Sequence, residues 1–581
     1  MLVVLAVAFA AVTARLVYIQ GPAAARYVAL GENERVRTVA LPAERGALFD
    51  REGQDLALSI PQTTVWADPH LVTDPMGEAG RLAPVLGVPA PDLQALLSKD
   101  AGFVYLARKV TDPVASQVRA LKLDGIAYLD EPERFLPAGN LAAPIVGQVG
   151  LDNNGLSGLE LQYDKQLSGQ PGELIVERDP KGHDIPGGLH RFQPATKGQD
   201  LILTVDRSLE YQTEQALATE IQHDKAKGGM AIVMDSKSGE ILAMANLVAG
   251  PNQGDPPQPA PSDTALTAVY EPGSVNKVVT LSGALEEGII HPDDHLMVPD
   301  NMRVGDYTFR DNEAHPTESM SITDILANSS NIGTITIAQK LGKDKIDHYL
   351  RAYGFGKPTG LGYPGESAGL LLDPAKWSGS SIGSVPIGQS VAVTAMQMIA
   401  AYNTIADGGT YIAPKLVKGT VDAHGVRHAT PPSVRHRVIS ARTAKQVTAM
   451  LNEVVRVGTG TAAAIDGYTV AGKTGTARVP ENGGYKAGVY VASFAGFVPS
   501  QDPALTAMVV IDEPQTMYGG TASAPVFAAI ARYALREFRI PPPPAVPVAN
   551  VPAASQATAG VDEPVPPAPA AVTSPPATAP P

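Results

Sequence analysis

Three short strings, far apart in the chain, set the strongest demand on its fold: Ser274-Val275-Asn276-Lys277, Ser329-Ser330-Asn331 and Lys473-Thr474-Gly475-Thr476. Singly, such patterns arise by chance roughly once in a chain of this length. Ser-x-x-Lys and Lys-Thr-Gly each occur once in the 581 residues, and Ser-x-Asn occurs twice, the second copy lying inside the first string. If the three serve one reaction, the fold has to bring them to a single cleft.

Each string has a chemical reading beside a plain structural one. After Pro272-Gly273, residues 274–285 have helical periodicity closed by Gly288, so Ser274 falls in the first turn. Lys277, three positions on, shares its face and is expected within hydrogen-bond reach of the Ser274 hydroxyl. Val275 and Val278, with a second cation nearby, would lower the lysine's proton affinity and make it a base for a serine nucleophile. The helix start also offers backbone N–H groups, that of Ser274 included, to a developing oxyanion. The structural reading is a helix N-terminus with a surface lysine.

Ser329-Ser330-Asn331 falls between a short helix over 322–327 and a longer one over 332–341, where Ser and Asn are preferred caps. Functionally, Ser329 would pass a proton between Lys277 and a leaving amine, while the Asn331 amide orients Lys277 and a substrate carbonyl. Lys473 to Thr476 reads as a strand whose small residues, Gly475 among them, let another backbone approach. Lys473 and the hydroxyls of Thr474 and Thr476 would hold a terminal carboxylate, and the Thr476 N–H would complete the oxyanion hole. The structural alternative is an edge strand with a lysine that blocks aggregation.

The length implies two or more domains plus linkers. A net charge of −14 with no long basic run argues against nucleic acid as a partner. Zero cysteines exclude disulfides, a thiol nucleophile and thiolate metal sites. The eleven histidines form no ligand-like cluster, since His291 and His295 flank Pro292 and Asp293-Asp294, which predict a turn. No metal or cofactor is expected.

Residues 1–14 are uncharged and apolar, and a snorkelling Arg15 extends the run through Ile19 to near-spanning length. An uncleaved anchor over residues 1–20 is preferred to a signal peptide cut after the small residues near Ala14, and a basic cytoplasmic stub is expected ahead of Met1. Either way the remainder is exported. Residues 35–192 are a mixed α+β region, with strands over 36–41 and 63–67, a helix over 91–97, a strand–turn–strand around Glu52-Gly53, and an amphipathic helix from Leu161 to Leu167 ended by Gly169. A second domain is expected over 198–540. Its elements are a strand over 201–205, a helix capped by Asp206, a hairpin around Asp235 to Gly239, paired strands over 489–497 and 504–511, and a last helix over 524–537. From residue 541 onward 14 of 41 residues are proline and none is aromatic, a tail that cannot bury enough apolar surface to order itself.

The set of strings resembles that of penicillin-binding proteins and class A β-lactamases. Other segments resemble class B penicillin-binding proteins in particular: Arg45-Gly46 through Asp50-Arg51 and Gly53, and Gly158-Leu159-Glu160 with Tyr163-Asp164, for the pedestal; Ile387-Gly388-Gln389, Thr394 to Gln397 and Gly408-Gly409 for the middle of the second domain. Ser493 to Pro499, Asp512-Glu513-Pro514 and Tyr518-Gly519-Gly520 are most similar to the cell-division branch.

The resemblance implies an α/β (α+β) architecture: a penicillin-binding transpeptidase fold, an antiparallel sheet flanked by helices as in serine β-lactamases, behind a dimerisation-type pedestal and a transmembrane helix. It implies D,D-transpeptidation of peptidoglycan stem peptides, in septal wall synthesis. Ser274 would be acylated by a D-Ala-D-Ala donor, a neighbouring amine would accept the acyl group, and β-lactams would acylate the same serine. It also implies a single-pass protein of the bacterial plasma membrane with its catalytic domain outside the cytoplasm, working with a polytopic membrane glycosyltransferase and other division proteins. The alternatives are an elongation-type enzyme, a silent divisome scaffold and a β-lactam sensor. A β-lactamase is normally about half this length and lacks pedestal and anchor, and the region before Gly198 does not resemble the glycosyltransferase domain of a bifunctional synthase.

Overall fold

Two hairpins that are apolar on both faces make the central sheet of this protein, seen in a computed structural model that describes residues 1–544 except 178–184, 186, 187, 189, 253, 482 and 483. Its strands are β1 (Gly228–Asp235), β2 (Ile241–Val248), β3 (Gln258–Pro259), β4 (Ala471–Glu481), β5 (Gly484–Val498) and β6 (Leu505–Asp512). They lie in the order β3-β2-β1-β6-β5-β4 with every neighbouring pair antiparallel, so β4 is the terminal strand. The Asp235 carboxylate accepts the Lys237 and Ser238 N–H groups and closes the β1–β2 turn.

Alternate residues of the sheet enter two different cores, which is why β1 and β6 read as continuous apolar runs. Ala231, Val233 and Val509 pack with Leu217 and Phe527 of the helices Arg207–His223 and Ala524–Glu537. Ile232, Met234, Met508 and Val510 face the other way, toward Val278 and Leu281 of the helix Lys277–Glu286 and Met398 and Tyr402 of the helix Ala395–Ala406. All twelve residues of Ala395–Ala406 are buried, and Thr394 and Gln397 form a reciprocal capping box at its start. Asp206 caps Arg207–His223 as expected, through the Leu209 N–H.

The pedestal is joined to this body by a shared sheet. Leu48–Phe49 pairs in parallel with Asp200–Leu203 and antiparallel with Asp55–Ala67, and Asp200–Leu203 pairs in turn with Val417–Val421. The backbone ladder thus runs on across residue 198, and Leu48, Leu159 and Leu167 share one core with Leu201 and Met230. Beneath it Arg45, with no side-chain exposure, donates to the equally buried Glu160 at 2.6 Å and to Asp164 at 2.8 Å, and Arg134 donates to the second Glu160 oxygen at 2.6 Å. The pedestal strings thus meet as one buried ion network.

The strand expected over 63–67 runs over Asp55–Ala67, through Pro61, which lies opposite Pro132 of Ile126–Phe135. The helix expected from Leu161 to Leu167 is broken at Tyr163 into Gly158–Gln162 and Asp164–Leu167. Leu2–Gln20, with mean hydropathy 2.3 and no buried residue, is the one helix among the described residues long and apolar enough to cross a membrane. The proline-rich tail lies outside the described residues from 545 onward.

Candidate active site

Ser274 sits on a 3-10 turn, Gly273–Asn276, that runs directly into the helix Lys277–Glu286. Residues three apart eclipse in a 3-10 turn, so Ser274 and Lys277 lie one above the other on the same face. The turn is pinned from behind: Gly273 N–H donates to Gly388 O at 2.9 Å, Asn276 Nδ2 to Val385 O at 2.9 Å, and Tyr402 Oη to Val275 O at 3.0 Å. Gly388, at φ 80°, lies so near that a Cβ on it would fall 2.1 Å from Gly273 O. The string around Gly388 is therefore the floor on which the serine rests.

Lys277 has no exposed surface and donates from Nζ to Ser329 Oγ at 3.2 Å, to Asn331 Oδ1 at 2.7 Å and to Ser329 O. The hydrogen bond expected between Lys277 and Ser274 is not formed. An ammonium carries three N–H donors, and the Ser329–Asn331 turn supplies three acceptors, which draw the group toward that wall. Burial lowers the Lys277 pKa to about 7, against the opposing pull of Asp311. Ser329 has φ 61°, a left-handed conformation costly for a residue with a Cβ; in it the serine presents its carbonyl and its hydroxyl to Lys277 together.

The third string is the start of β4. Lys473 is fully buried and donates to Thr474 O at 3.2 Å, Thr474 Oγ1 at 3.1 Å and Thr459 Oγ1 at 3.4 Å. Burial, with the Lys277 charge adding to it, holds its pKa well below that of an ordinary lysine. At Gly475 a Cβ would lie 2.3 Å from Ser493 Oγ and 3.1 Å from Pro272 O, so glycine is what lets the serine turn pack on β4. Thr476 Oγ1 accepts the Gly519 N–H at 3.4 Å, and Gly519 is itself wedged against Ser493 O and Gly475 O.

All three strings border one cleft of about 1030 Å³, whose lining includes Ser274, Ser329, Asn331, Thr474, Thr476 and Tyr518. Lys277 and Lys473 lie beneath its surface.

One positioning group was not foreseen. Asp311 ends the hairpin of Asn301–Val304 and Tyr307–Arg310; its Oδ1 accepts the Ile332 N–H at 3.0 Å and the Asn331 N–H, and its Oδ2 accepts Ser330 Oγ at 2.7 Å. It caps the helix Asn331–Leu341 from outside and is the nearby anion that Lys277 feels. Asn331 Nδ2 donates to Arg310 O at 2.8 Å, so that strand end also fixes the amide's orientation. A lone aspartate after a strand carries no sign in the sequence of which helix it will cap.

Residues 229–532 match the model of the penicillin binding protein transpeptidase domain, and residues 40–203 that of the penicillin-binding protein dimerisation domain. The chain belongs to the penicillin-binding protein family. This penicillin-binding protein is 34% identical to penicillin-binding protein PbpB of Mycolicibacterium smegmatis, over 91% of this chain and 88% of that one. It is 33% identical to peptidoglycan D,D-transpeptidase FtsI of Escherichia coli, over 93% and 91% of the two chains. Among solved structures, penicillin-binding protein 3 from Mycobacterium tuberculosis complexed with aztreonam matches with a TM-score of 0.69 and 30% identity, covering 87% of this chain and 98% of that one. Both domains, and so the pairing of pedestal with transpeptidase region, are those of the class B members.

Proposed function

We propose that this penicillin-binding protein is a serine-type peptidoglycan D,D-transpeptidase that cross-links stem peptides in septal wall synthesis, anchored in the bacterial plasma membrane by Leu2–Gln20 with the catalytic region outside the cytoplasm. The observation that carries this reading is the meeting of Ser274, the buried Lys277 and Lys473, and the Ser329–Asn331 turn at one cleft. The similarity to the D,D-transpeptidase of Escherichia coli and to the mycobacterial protein complexed with aztreonam supports the substrate class and β-lactam binding. The septal role rests on the late strings from Ser493 to Gly520, and with it come a polytopic membrane glycosyltransferase and other division proteins as partners.

In this mechanism Ser274 Oγ attacks the carbonyl between the two terminal D-alanines and its proton passes to Lys277 Nζ, which has to swing from the Ser329–Asn331 acceptors toward Ser274 and which a pKa of about 7 leaves substantially neutral at physiological pH. The N–H groups of Ser274 and Thr476 take the oxyanion. Lys473, Thr474 and Thr476 receive the donor's carboxylate; its arrival restores the proton affinity that burial has removed from Lys473. Ser329 relays the proton from Lys277 to the leaving D-alanine amine. An acceptor amine then attacks the ester carbon, gives up a proton by the same route and releases Ser274. Treating the full chain with penicillin and measuring the adduct mass tests the reading: one covalent adduct is expected, lost in Ser274→Ala, and labelling that persists in that variant refutes the nucleophile. A fluorescent fusion confined to the division site is expected, and uniform sidewall signal refutes the septal role.

A further inference from the structure

His315 lines the same cleft, and acceptors meet both of its ring nitrogens. Nδ1 lies 2.8 Å from Pro316 O and 3.5 Å from Glu318 Oε1, while Nε2 lies 3.2 Å from Asp311 Oδ2. A carbonyl and a carboxylate cannot donate, so each nitrogen needs its own proton and only the imidazolium satisfies both contacts. The ring is 16% exposed and the Asp311 side chain 8%, so their contact is largely sheltered from solvent. In its protonated form His315 is thus a cation held on the carboxylate that also caps the Asn331 helix and acts on Lys277.

We propose that His315 is a positioning residue that, through Asp311, sets the charge felt by Lys277 and so the pH at which Ser274 becomes a nucleophile. This rests on the transpeptidase reading of the site and adds a regulator to it. The groups around the imidazole are Asp311 and Glu318 on its own segment and Lys277 across Asp311, with Lys473 of β4 behind Lys277; Arg310 and Glu313 border the same cleft. The Asp311 charge favours the protonated form of Lys277. A protonated His315 offsets that charge, so Lys277 gives up its proton at lower pH. The contact to Asp311 and the hydrogen bond to Pro316 in turn hold the imidazole proton more tightly than usual. When His315 loses its proton, the full Asp311 charge falls on Lys277 and Nε2 turns a lone pair toward a carboxylate.

The test is the pH profile of penicillin acylation of the full-length protein, as a second-order rate constant between pH 5.5 and 9. His315→Gln, which keeps a polar group and loses the charge, is expected to move the acid limb to higher pH by about half a unit, a roughly threefold slower acylation on that limb. Asp311→Asn is expected to move it the other way, and adding His315→Gln to Asp311→Asn is expected to give no further shift, because the imidazole acts through the carboxylate. His315→Lys, which keeps a cation there, is expected to hold the limb near its parental position even where Asp311→Asn fails to fold. Profiles that fall in height yet keep their limbs in place overturn the proposal, as does a shift of His315→Gln to lower pH. A parent protein that penicillin does not acylate at all fails the transpeptidase reading instead, so the two failures are distinguishable.

Discussion

Asn331 Oδ1 accepts from the Lys277 ammonium at 2.7 Å while the same side chain's Nδ2 donates to Arg310 O at 2.8 Å, so the amide cannot turn over without losing both bonds. A neutral acceptor at that point lets Lys277 exist as a free base near neutrality. Asn331→Asp would put an anion there. We expect it to raise the Lys277 pKa by about one to three units and to slow penicillin acylation at pH 7 by at least about tenfold. Acylation should recover toward pH 9. Lys277→Ala should stay folded, nearly unacylated and without recovery at any pH. A flat profile for Asn331→Asp would show that the amide does not govern the base.

The burial that lowers the Lys277 pKa also appears in stability. Its folded pKa of about 7 lies below that of a lysine in the unfolded chain. Between those two values the unfolded chain binds more protons than the folded one, so the folded state gains stability as pH rises through the window. We expect the thermal midpoint of the detergent-solubilised protein to rise from pH 7 toward pH 9, and Lys277→Met to flatten that rise. An unchanged slope in the variant would place the effect elsewhere.

Glu160 joins Arg45 and Arg134 with no exposed side-chain surface. Removing one member of a buried ion group leaves the others uncompensated, at about 3–5 kcal/mol. Glu160→Ala should therefore lower the thermal midpoint by several degrees. Penicillin acylation of the fraction that remains folded should be little changed. A midpoint within one degree of the parent's would show that the network is not needed for stability.

Gly519 has no room for a methyl group: a Cβ would lie 2.3 Å from Ser493 O and 2.4 Å from Gly475 O. Gly519→Ala has to push the Tyr518 segment off β4 and release Thr476 Oγ1. We expect acylation to fall by about tenfold or more with the thermal midpoint little altered, measured as loss of fluorescent-penicillin labelling. Parental labelling would mean that the segment yields without disturbing Thr476.

Those parts of the fold that advertise themselves by burial were legible in the sequence. The β1–β2 hairpin and the second half of β5 with β6 are largely apolar runs around Asp235 and Asp502, and Ala524–Glu537 keeps one apolar face. Pro61 hid the length of Asp55–Ala67, since proline argues against an interior strand. Of the site, the three strings were visible because each is a local pattern. Asp311 and His315 were not, and the string around Gly388 was visible without its role as a floor, because these roles depend on which distant backbone they meet. The hydrogen bond expected between Ser274 and Lys277 is not formed, because periodicity places side chains on a face without saying which acceptors compete for them.

As the last strand of its sheet, β4 has one free edge opposite the backbone ladder that it shares with β5, and the proposed donor would add along that edge. Selection along such a rim would be by the outline of an amide and much less by the identity of side chains. An impostor therefore has only to imitate a peptide bond, and the enzyme cannot refuse it by redrawing this border without unpicking its own architecture.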